Sequence, residues 1–272
     1  MILLSHAYLD ISPNFFNVAR HTDVNCRLHL HYSMEVVYVF SGELIMNVNG
    51  IDRRICEGQA TFMLPFEQHS FLTPEKSECL VIVFSPDITA DFYESVKNKL
   101  LVTEVFTSDS HALKVCNSIL ARDNLTDVDI KAVLYPLLSD IIYKCEFASG
   151  GRAPDKTFIE AVKYIQQNYT LSQISLNSVA RYLGVHSVYL SRIFTQNANM
   201  SFSSYVNLIR CNYVAEQLCR DNESTLSEIA LNSGFGSIRS FNRVFMEVFN
   251  MTPKEYRAIR FKKDNISDRD SM

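Results

Sequence analysis

Arg239, Asn242 and Arg243 lie within the stretch GFGSIRSFNRVFMEVFNMTPKEYR that begins at Gly234. Their separations of three and four residues put them on one face if the segment is helical. A guanidinium can grip a phosphate or the edge of guanine, and a carboxamide can pair with adenine. The chemistry on offer is therefore recognition of nucleic acid, not bond making. An earlier stretch, GVHSVYLSRIFTQNANMSFSSY from Gly184, follows the same plan. Its equivalent face carries Val188, Ser191, Arg192 and Thr195, which is less basic and offers fewer direct base contacts.

The two stretches belong to a longer repeat. Leu176, Val179, Ala180, Gly184 and Val185 match Leu226, Ile229, Ala230, Gly234 and Phe235 at an offset of 50 residues. Leu190, Phe194, Asn199, Met200, Ser201, Phe202 and Tyr205 match Phe241, Phe245, Asn250, Met251, Thr252, Pro253 and Tyr256 at an offset of 51. Each copy reads as a helix, a sharp turn at Gly184 or Gly234, and a second helix closed by Asn199 or Asn250, residues that tolerate left-handed backbone. Ala180 and Ala230 are small enough for two helices to cross closely. Thr225–Glu228 and Thr252–Glu255 are capping boxes. Residues 202–220 form one helix between the copies, about 28 Å long at 1.5 Å per residue. Adjacent major-groove faces on one side of DNA are about 34 Å apart. The pattern is a helix-turn-helix made twice, and a plain helical bundle with solvated arginines would leave the repeat unexplained.

Charge supports the division. Residues 1–154 hold 12 Lys/Arg against 19 Asp/Glu, whereas residues 155–263 hold 13 against 8. A basic segment on a chain of net charge −4 points to a polyanion partner for that segment. The composition, 47% hydrophobic and 21% charged over 272 residues, allows each half its own core. Seven scattered cysteines without a CxxC pair suit a reducing compartment. The start, MILLSHAYLDIS, lacks the basic region of a signal peptide, and no apolar run approaches a membrane span. The expected location is the cytoplasm, with no membrane partner.

The first hundred residues read as β. LHLHYSMEVVYVF, ELIMNVNGIDRRI with its Asn49-Gly50 hairpin signal, QATFMLPF and ECLVIVF are short strands between turn residues, the spacing of a sandwich or barrel. Helical spacing follows through Ile130, Val133, Leu134, Leu137, Leu138, Ile141 and Ile142, with a kink expected at Pro136. This face covers the barrel, and part of it could pair with a second subunit. SGGRAP then breaks the pattern. The expected domains are 1–147, a linker at 148–154, 155–263, and a polar tail at 264–272. The fold class is α+β: a β-barrel with trailing helices, then an all-α domain with two helix-turn-helix units joined by a long helix.

Through LNSVARYLGVHSVYLSRIF, SFSSYVNLIR, LSEIALNSGFGSIRSFNRVF and TPKEYR, residues 155–260 resemble the AraC/XylS family of bacterial transcription regulators. The resemblance implies a seven-helix DNA-binding domain. It places the DNA contacts on Val188, Ser191, Arg192, Thr195, Arg239, Ser240, Asn242 and Arg243. It also implies promoter DNA and RNA polymerase as partners, activation rather than repression, and a small-molecule effector, with a homodimer as a further option. His186 stands where the family often has Ser, and Asn stands in place of Gly at 199 and 250. The first half more loosely resembles cupin-like sensor barrels. His29-Leu-His31-x3-Glu35-x6-Gly42 has the spacing of a cupin first motif, and Pro65-x3-His69 resembles the second, one residue short and without its Gly. His29, His31 and Glu35 would share one face of a strand and, with His69, could hold a metal through nitrogen and oxygen ligands. Sensor barrels of this kind usually lack one, so the expectation is no metal or other cofactor. His29, His31, Glu35, Tyr38 and His69 are then candidates for an effector pocket. A metal-dependent cupin enzyme with a helical appendage is the alternative. No nucleophile–base signature or phosphate-cradling glycine loop accompanies it.

Overall fold

The computed structural model describes residues 12–108, 117–122, 124–220 and 224–258, and not the side chains of residues 219 and 220. The expected tail at 264–272 and Cys116 lie outside them. The chain divides into two compact units, Met1–Pro154 and Asp155–Met272. The first is rich in sheet and the second is helical, as the α+β reading expects.

The N-terminal unit is built around one long strand. Its strands are β1 (Phe16–Thr22), β2 (Cys26–His29), β3 (Met34–Val48), β4 (Ile51–Cys56), β5 (Gln59–Met63), β6 (His69–Leu72), β7 (Ser77–Phe84), β8 (Lys99–Leu101), β9 (Val105–Thr107) and β10 (Phe147–Ser149). The first part of β3 pairs antiparallel with β5 and β7, and its second part, from Glu43 to Val48, pairs with β4 and β6. Between them the register slips at Phe40, and Gly42 takes φ +74°. A Cβ at Gly42 would overlap the Lys76 carbonyl, so only glycine lets the two backbones approach there. One strand thus serves two layers. The main ladder runs β1-β7-β3-β5-β9, and β1 and β9 are its ends. Asn49 and Gly50, both at positive φ, close the β3–β4 hairpin as their sequence foretells.

Alternation along β3 splits its side chains between two cores. Val37, Val39, Leu44, Met46 and Val48 face the interior between the layers, with Phe71, Val81 and Val83. Met34 and Val36 face the other way, toward α2 (Asp127–Lys144). The α2 face of Val133, Leu134, Leu137, Leu138 and Ile141 is buried there, together with α1 (Ala90–Val96). Each such side chain, fully buried, contributes roughly 1.5–3 kcal/mol. The helix α2 runs through Pro136 without interruption. The linker is shorter than the sequence suggests. Residues 147–149 form β10 against β8, and the Ala153 N–H donates to Asn98 Oδ1 at 3.1 Å, so the chain stays on the first unit almost to Pro154. The Gly151 backbone packs so closely on Lys99 that a side chain there would collide.

The C-terminal unit contains α3 (Lys156–Asn168), α4 (Leu176–Tyr182), α5 (Ser187–Ala198), α6 (Phe202–Arg220), α7 (Leu226–Asn232) and α8 (Ile238–Phe249), and a final helical segment at 253–258. The repeat is physical. The Val185 N–H donates to Ala180 O, and Phe235 repeats the bond to Ala230 O. Gly184 and Gly234 take φ +67° and +88°, and Asn199 and Asn250 take φ +49° and +54°. The Phe194 and Tyr205 rings lie 5.7 Å apart, their counterparts Phe245 and Tyr256 5.6 Å. Capping boxes start α4 at Ser175 and α7 at Thr225.

Asp155 opens this unit. Its Oδ1 accepts from the Thr157 N–H at 2.8 Å and its Oδ2 from the Tyr189 hydroxyl at 3.2 Å, and its own N–H donates to Asn197 Oδ1 at 2.9 Å. Burial opposes its charge, but the bonds from Thr157 and Tyr189 outweigh it and lower its pKa. A depressed carboxylate stabilises the fold above its unfolded pKa of about 3.9 and loses that contribution as pH falls through the folded value. Asp155→Ala should therefore cost about 1 kcal/mol at neutral pH, and the difference from wild type should vanish in acid below the folded pKa. Urea denaturation followed by circular dichroism at several pH values checks both. Gly234→Ala should be costlier than the roughly 1 kcal/mol typical of a simple propensity change. Its Cβ would sit 2.6 Å from the Tyr169 carbonyl oxygen at a positive φ. The same denaturation measures it.

Candidate nucleic-acid interface and a buried imidazole cluster

The second helix of each repeat buries one face and exposes the other. In α8, Phe241, Val244, Phe245 and Phe249 are buried, and Arg239, Asn242 and Arg243 are exposed. Ser240 is half-buried in the first turn, where its N–H donates to the Ser237 cap oxygen at 3.2 Å. In α5, Leu190, Ile193, Phe194 and Ala198 are buried, and Val188, Ser191, Arg192 and Thr195 face solvent. Seven of the eight residues expected to meet DNA are thus exposed on the outer faces of these two helices, and Ser240 lies at the edge of its face. His186 caps α5 in place of Ser: its Nδ1 accepts the Val188 N–H at 3.3 Å.

Sequence reasoning missed two neighbours. Arg243 Nη1 bonds Glu247 Oε1 at 2.6 Å, so a carboxylate one turn on already holds the arginine. Both groups are exposed, and such a pair is worth at most about 1 kcal/mol, which a phosphate or guanine can outbid. The acid at i+4 was the available signal. The other is Tyr189, whose ring lies 5.7 Å beneath the Arg192 guanidinium while its hydroxyl bonds Asp155.

In the N-terminal unit His29, His31, Glu35 and His69 come together, each at most 8% exposed. One ligand atom from each lies within 4.8 Å of the others. His29 and His69 are cross-strand partners on β2 and β6, with ring centroids 4.1 Å apart. His31 does not sit in a strand: the chain leaves β2 at His29 and enters β3 at Met34. Its ring is aimed instead by two bonds, Nδ1 to Ser33 O at 3.0 Å and Nε2 to Glu35 Oε2 at 3.1 Å. Tyr38 does not join them. It is three residues from Glu35, an odd step, so the pleat turns it to the opposite face, where it packs with the α2 layer beside Phe40.

Electrostatics divides the cluster. Burial would raise the Glu35 pKa, but the contacts of His31 and His69 outweigh it and hold the carboxyl well below the usual range. Burial, reinforced by the neighbouring imidazoles, holds His29 well below its ordinary value, and burial lowers His31 too. At His69 burial is outweighed by Glu35, and the pKa rises. Cys26, with Sγ 3.5 Å from His29 Nδ1, is kept a thiol by burial.

Residues 179–259 match the family model described as "Helix-turn-helix domain". The C-terminal unit is an AraC-type helix-turn-helix domain. The uncharacterized HTH-type transcriptional regulator YpdC of Escherichia coli K12 is 24% identical over 81% of this chain and 80% of its own. The uncharacterized HTH-type regulator SAS0078 of Staphylococcus aureus MSSA476 is 33% identical over 97 residues, 36% of this chain and 13% of that protein. Among solved structures, ToxT of Vibrio cholerae O395 has a TM-score of 0.59 at 17% identity, covering 90% of this chain and 97% of ToxT. ToxT from strain SCE256 with an unsaturated fatty acid bound also scores 0.59, at 14% identity over 91% and 96% of the two chains. The likeness in sequence is to regulators, not to enzymes. That in structure shows a shared fold.

In the AraC-type domain the exposed α8 face should dominate readout. Arg243→Ala or Asn242→Ala should weaken binding to a selected duplex by roughly 1–3 kcal/mol. Glu247→Gln, which frees Arg243, should strengthen it by less than about 1 kcal/mol. Fluorescence anisotropy with the folded variants checks each sign.

Proposed function

We propose that this chain, an AraC-type DNA-binding transcription regulator, is a cytoplasmic activator whose N-terminal unit answers to an effector. The observation that carries the reading is the duplicated frame: two capped, aromatic-anchored helices, each exposing a polar face, on one basic unit. The 19-residue α6 between the two helix-turn-helix copies is long enough to serve adjacent grooves. The effector would act by population shift, favouring the arrangement that engages promoter DNA or RNA polymerase. Support for a ligand-responsive first unit comes from the ToxT likeness, since that protein has been solved with an unsaturated fatty acid bound. A homodimer, with the exposed side of α2 against its partner copy, fits the same scheme.

Selection of binding sites from random duplexes at two salt concentrations tests the core of the proposal. The enriched pool should show two short blocks about one helical turn apart, with affinity falling steeply as salt rises. A pool without enrichment, from the full chain and from residues 155–272 alone, would overturn it.

A further inference from the structure

We propose that Arg210 sets the spacing between the two outward-facing helices, α5 and α8, and with it the number of base pairs between the two blocks of DNA that they read. The inference rests on the DNA-binding reading and adds to it the side chain that fixes the separation. Arg210 is a positioning residue here and touches no DNA itself.

A connecting helix joined to each copy only through its chain ends would leave both copies free to pivot. Arg210 lies near the middle of α6 and is only 8% exposed. Its Nε donates to Tyr169 O at 2.8 Å and its Nη2 to Leu171 O at 2.9 Å. Tyr169 is the C-cap of α3, where a helix leaves carbonyls without intrahelical partners. The same guanidinium carbon lies 5.8 Å from the centre of the Phe235 ring, within the range of cation–π attraction. Phe235 follows the Gly234 corner of the second copy. Val185 stands at the equivalent corner of the first, so only the second corner offers a ring. One buried group therefore joins the leading helix of the first copy, the connecting helix and the corner of the second copy.

Further contacts carry this link to the reading helices. In the first copy α3 grips α5: the Phe158 and Phe194 rings are 5.0 Å apart, and Asp155 bonds Tyr189 and Asn197. In the second copy the Phe235 ring packs 5.3 Å from Phe241 of α8. The Gly234 corner sits so close to Tyr169 and Thr170 that a Cβ would overlap their carbonyl oxygens. The path from α5 through α3, Arg210 and Phe235 to α8 is continuous. Residue type matters in it. A main-chain oxygen cannot rotate away as a carboxylate can, so bonds to two of them hold a backbone in place. The planar guanidinium offers its donors in a fixed fork, and an ammonium does not.

The test varies the DNA between the blocks. Sites selected from random duplexes by the full chain are remade with one or two base pairs inserted or removed between the blocks, and affinities are read by fluorescence anisotropy. One inserted pair moves the second block by about 3.4 Å and turns it by about 34°. Wild type should then bind about tenfold more weakly or worse, the loss of at least one good base contact. Folded Arg210→Met should bind the best and the shifted spacings within about threefold of one another, less than one base contact is worth. Its base preferences inside each block should stay those of wild type. Arg210→Lys, which keeps the charge without the fork, should fall between. A purely stabilising role would lower affinity for every spacing alike and keep the wild-type ranking. That result overturns the proposal and leaves the DNA-binding reading standing, and so does a wild type indifferent to spacing. If neither Arg210 variant folds, Phe235→Leu replaces them: it removes the ring, keeps the apolar bulk and should widen the tolerated spacings, and an unchanged preference overturns the proposal. A wild type that enriches no site removes the DNA-binding reading and this inference together.

Discussion

A carboxylate without access to water constrains the N-terminal unit more than any other group. Removing such a charge from solvent costs several kcal/mol unless partners repay it nearby. Glu35 sits where β3 pairs with both β5 and β7, opposite Met63 and Val83. It cannot move without breaking the centre of the sheet. Compensation has to come to it, and it comes from His31 and His69, with His29 packed against both. His69 arrives on β6 and His29 on β2, and His31 swings in from the connection between β2 and β3. Backbone carbonyls orient all three. The layers around them are apolar, with Val37, Val39, Met46 and Phe71 filling the same interior. The polar cluster therefore marks one site inside an otherwise hydrophobic core.

The C-terminal unit obeys a different economy. One frame is used twice, and the frame is aromatic. Phe194 contacts Phe158, Phe202 and Tyr205, and Phe245 contacts Phe241, Phe249 and Tyr256. Left-handed asparagines end both outer helices, and positive-φ glycines turn both corners. With the buried faces held so alike, the solvent faces are free to differ. One carries two arginines and an asparagine, and the other a single arginine with Val188, Ser191 and Thr195. The frame sets where recognition happens, and the exposed side chains set what each helix can recognise.

Much of this was legible in the chain. The 50-residue repeat, the capping boxes and the Asn49-Gly50 hairpin are local patterns, and local chemistry imposes them. The face of α8 follows from helical periodicity alone. The imidazole cluster was half legible. His29, His31, Glu35 and His69 were suspected together from their spacing, but the strand thought to present three of them does not exist as one piece. Tyr38, a pocket candidate beside them in sequence, packs on the opposite face of β3. Residues 148 and 149 read as the start of the linker because small and glycine residues follow them, yet their backbone groups pair with β8.

By itself, then, the sequence determined what depends on neighbours a few residues away: helix faces, caps, turns, the duplicated unit and the basic character of its second half. Only the tertiary structure decided what depends on distant backbone. It bent β3 at Gly42 against the Lys76 carbonyl. It aimed each imidazole by a main-chain oxygen and brought four polar side chains from four segments to one buried point. Those outcomes turn on hydrogen-bond partners and close approaches between residues far apart in the chain, which periodicity cannot encode.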